Sequence, residues 1–515
     1  MPLNRRDLFR GIALVLATGP VLAACGGAPA PGGVPLAGGN QATPRKGGAL
    51  RAVFGGGPAE SLDPYAGGTP VDFVRNDVVY DSLFVLRGSD SVPSLATAVE
   101  VAKDAKSFTL RLRENVRWHD GSPFTAQDVV YSLRYMCSPD RPFPSQLAPY
   151  LDVAKASATD AKTVVVPTLT PVGDPAQLLA AIPAKIVKDG AKDFSAGKAI
   201  GTGPYRVDSF EAGRQTRLVR FDGHWDGQAP ADEILLLSLS DPQTAVRAVT
   251  SGQADYAGDV PVATAKTGVP GGDLEIRTAG EANRVGFAFV LNTTRKPFDD
   301  PRVRRAARLA VNRQALVDTV LLGYGAPGND LFGKGARHYS DLPPLPRDVD
   351  AARKLIKEAG AEGAVVTLRS AEYVLGYNAS TQLFAEQLKE IGLDARVQLV
   401  GLQEFFEPAA LAEANSVTFS IGPSPLAVTY GRLGAFPSLG LADPEFTAAF
   451  QRALGATDDT VRAQAWAQVQ KVMAERGNTV VWGQADVLSV ARKTVAGVQV
   501  RDEAKYPYLG KAGLA

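Results

Sequence analysis

The chain has 515 residues, with 55 Lys and Arg against 54 Asp and Glu and a formal net charge of +1. So close a balance creates no global field and gives no reason to expect a nucleic acid or an acidic polymer as partner. Two cysteines and three widely separated histidines (His119, His224, His338) supply neither a disulfide framework nor metal-ligand spacing. P-loop, HExxH, CxxC and GxSxG motifs are absent from the sequence.

The N-terminus reads NRRDLFRGIALVLATGPVLAACGG. Arg5 and Arg6 precede an apolar run interrupted by Gly19 and Pro20, shorter than the about 20 residues a bilayer span requires. The paired arginines resemble a twin-arginine export signal, and Leu22-Ala23-Ala24-Cys25 resembles a bacterial lipobox. On that reading residues 1–24 are removed and Cys25 carries the lipid. The alternative is an uncleaved signal anchor with an incidental cysteine. Residues 25–45, rich in Gly, Pro and Ala, are expected to form a flexible tether. Cys137 is left without an intramolecular disulfide partner.

From Lys46 onward, ALRAVFGG predicts a strand running into a glycine loop, followed by AESLDPY. VDFVRNDVVYDSLFVL has apolar residues at helical spacing, and SFTLRLRENVRW alternates as a half-buried strand does. HDGSPFTAQDVVYSLRYM predicts a turn and then a helix entered at Thr125, with Asp128 completing a capping box. Trp118 reads as a packing residue, and His119 and Asp120 as turn residues rather than a catalytic pair. AKTVVVPT is a strand and PAQLLAAI a short helix. GTGPYRVDSFEAGRQTRLVRF predicts two strands joined by the EAGR turn.

EILLLSLS has the length of a buried strand, PQTAVRAVTSGQADYAG starts as a helix stopped by Gly252, and RVGFAFVLNT alternates. DPRVRRAARLAVNRQALVDTVLLGY predicts a long amphipathic helix or a helix pair, with Arg302, Arg304, Arg305 and Arg308 on its solvated face. The strand VVTLRSA, the helix ASTQLFAEQLKEIG and the strand DARVQLVGL follow in β-α-β order, which argues for a doubly wound α/β lobe.

VRWHDGSPFTAQDVVYS, GTGPYRV and PFDDPRVRRA, in that order, together with SLDPY, VVYDSL, GHWDGQAPADEI and SGQADYAGDVP, resemble the solute-binding proteins of peptide/nickel-type ABC importers, family 5. The resemblance runs from about Gly47 to about Val500. It implies an α/β, two-lobed, periplasmic-binding-protein-like fold of the large three-domain class, with mixed sheets flanked by helices and hinged lobes. Lobe one would comprise 46–70, 195–280 and 485–515, with a small inserted domain at 71–194, and lobe two would be 281–484.

The implied protein is a receptor rather than an enzyme, without cofactor or metal. It encloses a peptide or another small amphipathic solute and delivers it to an ABC permease with its ATPase subunits. It is extracytoplasmic, held to the membrane by lipid on Cys25, monomeric, and has no nucleic-acid partner. An exported sensor or scaffold, or a hydrolase on the same scaffold, are the alternatives.

Carried over position by position, the ligand-contacting residues are Gly57, Pro58 and Ala59 in lobe one, Gly258 and Asp259 after SGQADY, Asn283 and Phe287 entering lobe two, and Gly422, Pro423 and Ser424 in the lobe-two loop. In peptide binders that loop typically contains a Gly-Trp pair and an aspartate that meets the peptide α-amine. Here Pro423 and Ser424 follow Gly422, Leu426 falls near the aspartate's place, and no acid occurs from Ser416 to Leu441. A buried ammonium without an anion costs several kcal/mol, so ordinary free-amine peptides are not expected as ligands. Asp259 is the candidate substitute, with a solvated turn acid as the alternative reading, and Tyr373, Tyr377 and Tyr430 are candidates to line the cleft, with ordinary packing or surface tyrosines as the alternative. A bare nickel ion is not expected without a histidine cluster; a metal chelate held by arginine stays open.

Overall fold

The computed structural model describes residues 36–141, 145–180, 184–501 and 504–515. The expected export signal, with Cys25, lies outside the described residues.

The fold is α/β and two-lobed. One lobe is built on a seven-stranded sheet in the order Leu274–Thr278, Leu488–Arg492, Tyr256–Ala257, Ala49–Phe54, Glu233–Ser238, Gln215–Arg220, Tyr205–Glu211. A smaller body with the four-stranded sheet Ala96–Val101, Ser107–Leu112, Thr163–Pro167, Ser157–Asp160 shares its hydrophobic core. The other lobe has a six-stranded sheet in the order Gly325–Pro327, Thr479–Ala485, Val285–Leu291, Ser416–Ile421, Val365–Ser370, Asp394–Leu399. The chain passes between the lobes at 279–284 and again at 486–487, and Arg284 Nε bonds Asp486 Oδ1 at 2.7 Å across the two passages.

Several local expectations are met. Asp128 Oδ2 accepts from Thr125 N at 2.7 Å to cap Ala126–Met136. Tyr205–Glu211 and Gln215–Arg220 pair antiparallel across the EAGR turn. Val365–Ser370 and Asp394–Leu399 run parallel on either side of the helix Tyr377–Glu390.

Three expectations are corrected. Val285–Leu291 buries all seven residues, because it is an inner strand with helices on both faces: Phe287, Phe289 and Leu291 enter one core, Ala288 and Val290 the other. Of the long helix or helix pair, the pair is found, Pro301–Ala310 and Arg313–Val320, but its arginines are not a uniformly solvated face. Arg304 and Arg308 are buried; Arg308 donates to the carbonyls of Met473, Ala474 and Glu475, and Arg304 to that of Arg476. Two cations thus satisfy the free carbonyls that end the helix Asp459–Arg476. Finally, residues 36–45 of the expected tether lie along the first lobe. Ala37 N bonds Ile276 O at 2.8 Å and Arg45 N bonds Leu514 O at 2.8 Å, so the segment covers backbone groups that the edge strand Leu274–Thr278 would leave open.

Four sequence motifs converge where the smaller body joins the first lobe. Asp81 of VVYDSL accepts from Thr202 Oγ1 at 3.0 Å and from Trp225 Nε1 at 2.9 Å. Burial would raise its carboxyl, but His224 and Trp225 outweigh that and hold it below the usual range. His119 Nε2 lies 2.9 Å from Gly203 O, and its Nδ1 accepts from Gly201 N at 3.2 Å. A Cβ on Gly201 would stand 1.8 Å from Val79 O and one on Gly203 2.4 Å from Val78 O, so GTGPY requires both glycines for close backbone packing.

Burial pushes the His119 imidazole down to about 4, with Asp81 and the Gly203 carbonyl opposing and His224 and Arg206 assisting. A depressed histidine keeps its full contribution to stability above the unfolded value near 6.5 and loses it as pH falls through the folded one. Acidification from pH 6.5 to 4 is therefore expected to cost up to about 3 kcal/mol at this site. Thermal melts of wild type and His119→Gln across that range should show a flatter profile for the variant; parallel profiles would remove His119 as the cause.

Candidate solute-binding cleft

Ala49–Phe54 runs parallel to both Glu233–Ser238 and Tyr256–Ala257. Their carboxyl ends open on one edge of the first sheet, where open α/β sheets place their ligands. The loop that leaves Phe54 is rigidly seated. Glu60 Oε1 accepts from Gly57 N at 2.9 Å and from Gly213 N at 3.2 Å, which fixes residues 57–59 against the EAGR turn. Glu60 is held in turn by Arg75, whose Nη1 lies 3.3 Å from Glu60 Oε2 and whose Nη2 meets Asp72. All three side chains are without solvent exposure. Arg75 Nη2 also donates to Ser61 O at 2.8 Å, and Asp72 Oδ2 accepts from Thr69 N at 3.0 Å.

Gly258 and Asp259 follow Tyr256–Ala257 on the same edge. A Cβ on Gly258 would stand 2.4 Å from the Phe54 ring. Asp259 is exposed and left-handed, with φ of 50°, a conformation an aspartate tolerates better than most residues. The passage at 279–284 takes the chain across. There Asn283 spends its amide on Ala279 O at 2.7 Å, and Phe287 is buried against Tyr377 and Trp482, with centroids at 5.5 and 5.7 Å. Their side chains thus have structural partners already.

In the second lobe, Val365–Ser370 is parallel to Ser416–Ile421 and to Asp394–Leu399, so the three carboxyl ends share one edge. Gly422 and Pro423 are buried at it and Ser424 is half-buried. A Cβ on Gly335 would stand 2.2 Å from Ala282 O and 3.1 Å from Pro423 Cβ, so this loop adjoins the passage between the lobes. Residues 422–424 and 258–259 therefore lie on lobe edges next to the crossing segments.

Of the three candidate tyrosines, two occupy the second lobe's edge. Tyr373 and Tyr377 meet edge to face at 5.0 Å, and Tyr373 packs on Phe405 and Phe406 at 5.3 Å each. Burial pushes the Tyr373 phenol up to about 12, with Tyr377 and the nearby charge of Arg432 opposing. Tyr430 instead lies in the core between Trp466 and Phe446. Arg432, on the helix Leu426–Gly434, places its Cζ 5.4 Å from the Phe419 ring centroid and is exposed. It did not stand out in the sequence, although it is the sole charge in the acid-free stretch from Ser416 to Leu441.

The smaller body also meets the second lobe directly. Gly173 N donates to Leu454 O at 2.7 Å, and Arg462 Nη2 reaches Gly173 O at 3.2 Å. Asp174 Oδ2 lies 3.4 Å from Arg462 and 3.5 Å from Arg337. Tyr150 OH donates to Ala427 O at 3.2 Å. Periodicity within one segment carries no trace of such contacts. Among the described residues, no group of three His, Cys, Asp or Glu side chains could hold a metal ion.

The chain shares this architecture and sequence with known proteins. The model of the bacterial extracellular solute-binding proteins, family 5 Middle, matches residues 90–426. The glutathione-binding protein GsiB of Escherichia coli (strain K12) is 28% identical over 345 residues, which is 65% of this chain and 67% of that protein. The GsiB of Salmonella typhi matches with the same identity and coverage. The periplasmic binding protein DppA from Helicobacter pylori, in complex with peptide STSA, superimposes with a TM-score of 0.77 at 18% identity, over 91% of this chain and 98% of that one. NikA from Staphylococcus aureus, in complex with Ni(L-His)2, gives 0.73 at 17% identity, over 91% of this chain and all of the other. These relatives are binding proteins. The chain belongs to the bacterial extracellular solute-binding proteins of family 5.

Proposed function

We propose that the chain is the lipid-anchored receptor of an ABC importer, which encloses a small solute between its lobes and presents it to a permease and its ATPase subunits. The supporting observation is the pair of sheet edges flanking the crossing segments, with the rigid loop 57–59 and residues 258–259 on one and residues 422–424 on the other. A solute touching both edges favours the closed arrangement by its differential affinity for it. Lobe one is assigned 46–70, 195–280 and 485–515, the smaller domain 71–194 and lobe two 281–484; the strand composition of the three sheets supports this division, with Ala485 at the end of a lobe-two strand. The lipid on Cys25 then keeps the monomeric receptor near the permease.

The receptor acts by binding and not by catalysis. Its histidines are already engaged: His119 with Gly201 and Gly203, His224 with Gly227 O at 3.3 Å, and His338 with Asp459 at 3.2 Å. Gly57, Pro58, Ala59, Gly258, Asp259, Gly422, Pro423 and Ser424 supply contacts to solute, mostly from the backbone. Asn283 and Phe287 shape the crossing.

A thermal-shift screen of the protein against free-amine peptides, N-blocked peptides, sugars, metal chelates and organic acids tests the reading. A solute at 100 times its Kd stabilises the native state by about 2.7 kcal/mol. Stabilisation by members of one chemical class is the expected result, with unmodified di- to pentapeptides outside it. Tight binding of those peptides would mean that Asp259 or another acid receives the α-amine. Absence of any stabilising solute would remove the receptor reading.

A further inference from the structure

The second lobe's cleft edge combines an aromatic wall with one cation. Arg432 forms no ion pair and no hydrogen bond among the described residues, and its guanidinium is exposed above Phe419 at 5.4 Å. The arginines that hold this lobe together are engaged: Arg313 pairs with Asp330 at 2.7 Å, Arg476 with Asp443 at 2.6 Å, and Arg308 with three helix-end carbonyls. No acid is available to Arg432 from its own segment, since none occurs between Ser416 and Leu441. Phe419 belongs to Ser416–Ile421, whose carboxyl end lies at this edge, so the ring that Arg432 covers ties the guanidinium to that strand.

We propose that Arg432 is the residue by which this receptor recognises its solute, and that the solute carries a carboxylate beside an aromatic or apolar body, with no requirement for a free amine. The proposal rests on the receptor reading and names its solute class. A guanidinium above a ring is fixed by one face while its N–H fork stays free, and that fork matches the two oxygens of a carboxylate. Tyr373, Phe405 and Phe406 lie at the same edge and offer the apolar body a surface to pack on. An ammonium placed beside Arg432 would meet a like charge, and its own segment from Ser416 to Leu441 supplies no acid. The helix bearing Arg432 is pinned at its start by Tyr150 OH on Ala427 O at 3.2 Å, so the cation is presented from a fixed element.

Isothermal titration of the full chain with matched probes tests this: N-acetyl-tyrosine against N-acetyl-tyrosinamide, and hippurate against hippuramide, with tyrosinamide as the cationic member. Each carboxylate is expected to bind at least tenfold more tightly than its amide, and tyrosinamide least well. Arg432→Met should abolish the preference, and Arg432→Lys, which keeps the charge but not the fork, should lose most of it. Because Arg432 is exposed and unpaired, the melting temperature of Arg432→Met should match wild type, so weaker binding would not reflect unfolding. Carboxylate binding unchanged in Arg432→Met, or amides and carboxylates bound equally, would overturn the proposal. If the tightest solute of the wider screen is neutral or cationic, the proposal falls while the receptor reading stands. If no solute binds in either experiment, the receptor reading falls and takes the proposal with it.

Discussion

Arg75→Met is expected to destabilise the protein by about 3–5 kcal/mol, read as a lower midpoint in denaturant unfolding, with Glu60→Gln costing less. Arg75, Glu60 and Asp72 have no exposed side-chain surface. Taking three charges out of water is repaid only because every oxygen has a donor: Asp72 from Thr69 and Ser61, Glu60 from Gly57 and Gly213, and both from Arg75. Methionine fills much of the arginine's volume, so packing on Phe210, now 4.9 Å below the guanidinium, is largely kept. What is lost is the countercharge, which leaves two carboxylates facing each other in a closed site. One must then take up a proton or the loop must open. The loop is the one that carries Gly57, Pro58 and Ala59, so solute affinity should fall together with stability. A stable Arg75→Met protein with unchanged affinity would show that the loop holds its shape without this triad.

Glu60→Gln separates the two effects. The amide still has an oxygen for Gly57 N and Gly213 N, so the loop should keep its course while the charge balance improves. A smaller loss than that of Arg75→Met is the expected order.

Periodicity made the elements legible wherever one residue's neighbours settle its fate. The alternation of SFTLRLRENVRW, the EAGR turn and the Thr125 to Asp128 capping box are local patterns, and each has its counterpart in the structure. Arg304 and Arg308 were opaque because a helical stripe of arginines looks the same whether it faces water or the carbonyl end of another helix 165 to 172 residues away. Val285–Leu291 was legible as a strand but not as a doubly covered one, because alternation does not tell how many sheet faces are covered. Asp81, His119, Thr202 and Trp225 stand in recognisable motifs, but only the fold shows that these motifs meet one another. In the cleft, the sequence disclosed the missing acid near Leu426 and offered Tyr373, Tyr377 and Tyr430 either as lining or as packing residues. Tyr373 and Tyr377 meet at the second lobe's edge, whereas Tyr430 packs under Trp466, a choice that an isolated tyrosine does not signal.

Gly173→Ala is expected to weaken solute binding at least a hundredfold, about 2.7 kcal/mol, while leaving each lobe folded. Its Cβ would stand 1.9 Å from Ala456 O and 2.3 Å from Ala456 C, and a backbone wall cannot rotate aside as a side chain would. Gly173 does not have a positive φ, so alanine is acceptable to its own segment and even reduces the freedom of the unfolded chain. The penalty therefore falls on the contact between the smaller body and the second lobe, and so on closure. Gly431→Ala gives a control of the opposite kind. There the Cβ would stand 2.0 Å from Tyr150 OH, the far end of a side chain, while alanine is favoured over glycine in the helix by about 1 kcal/mol. Tyr150→Phe removes the obstructing oxygen together with its bond to Ala427 O, so the double variant should regain part of the affinity that Gly431→Ala loses. The same substitution should restore nothing to Gly173→Ala. Solution scattering gives the geometric readout: with solute present, Gly173→Ala should keep a larger radius of gyration than wild type. Wild-type affinity in Gly173→Ala would mean that the lobes enclose solute without the strap at 172–174 reaching Leu454.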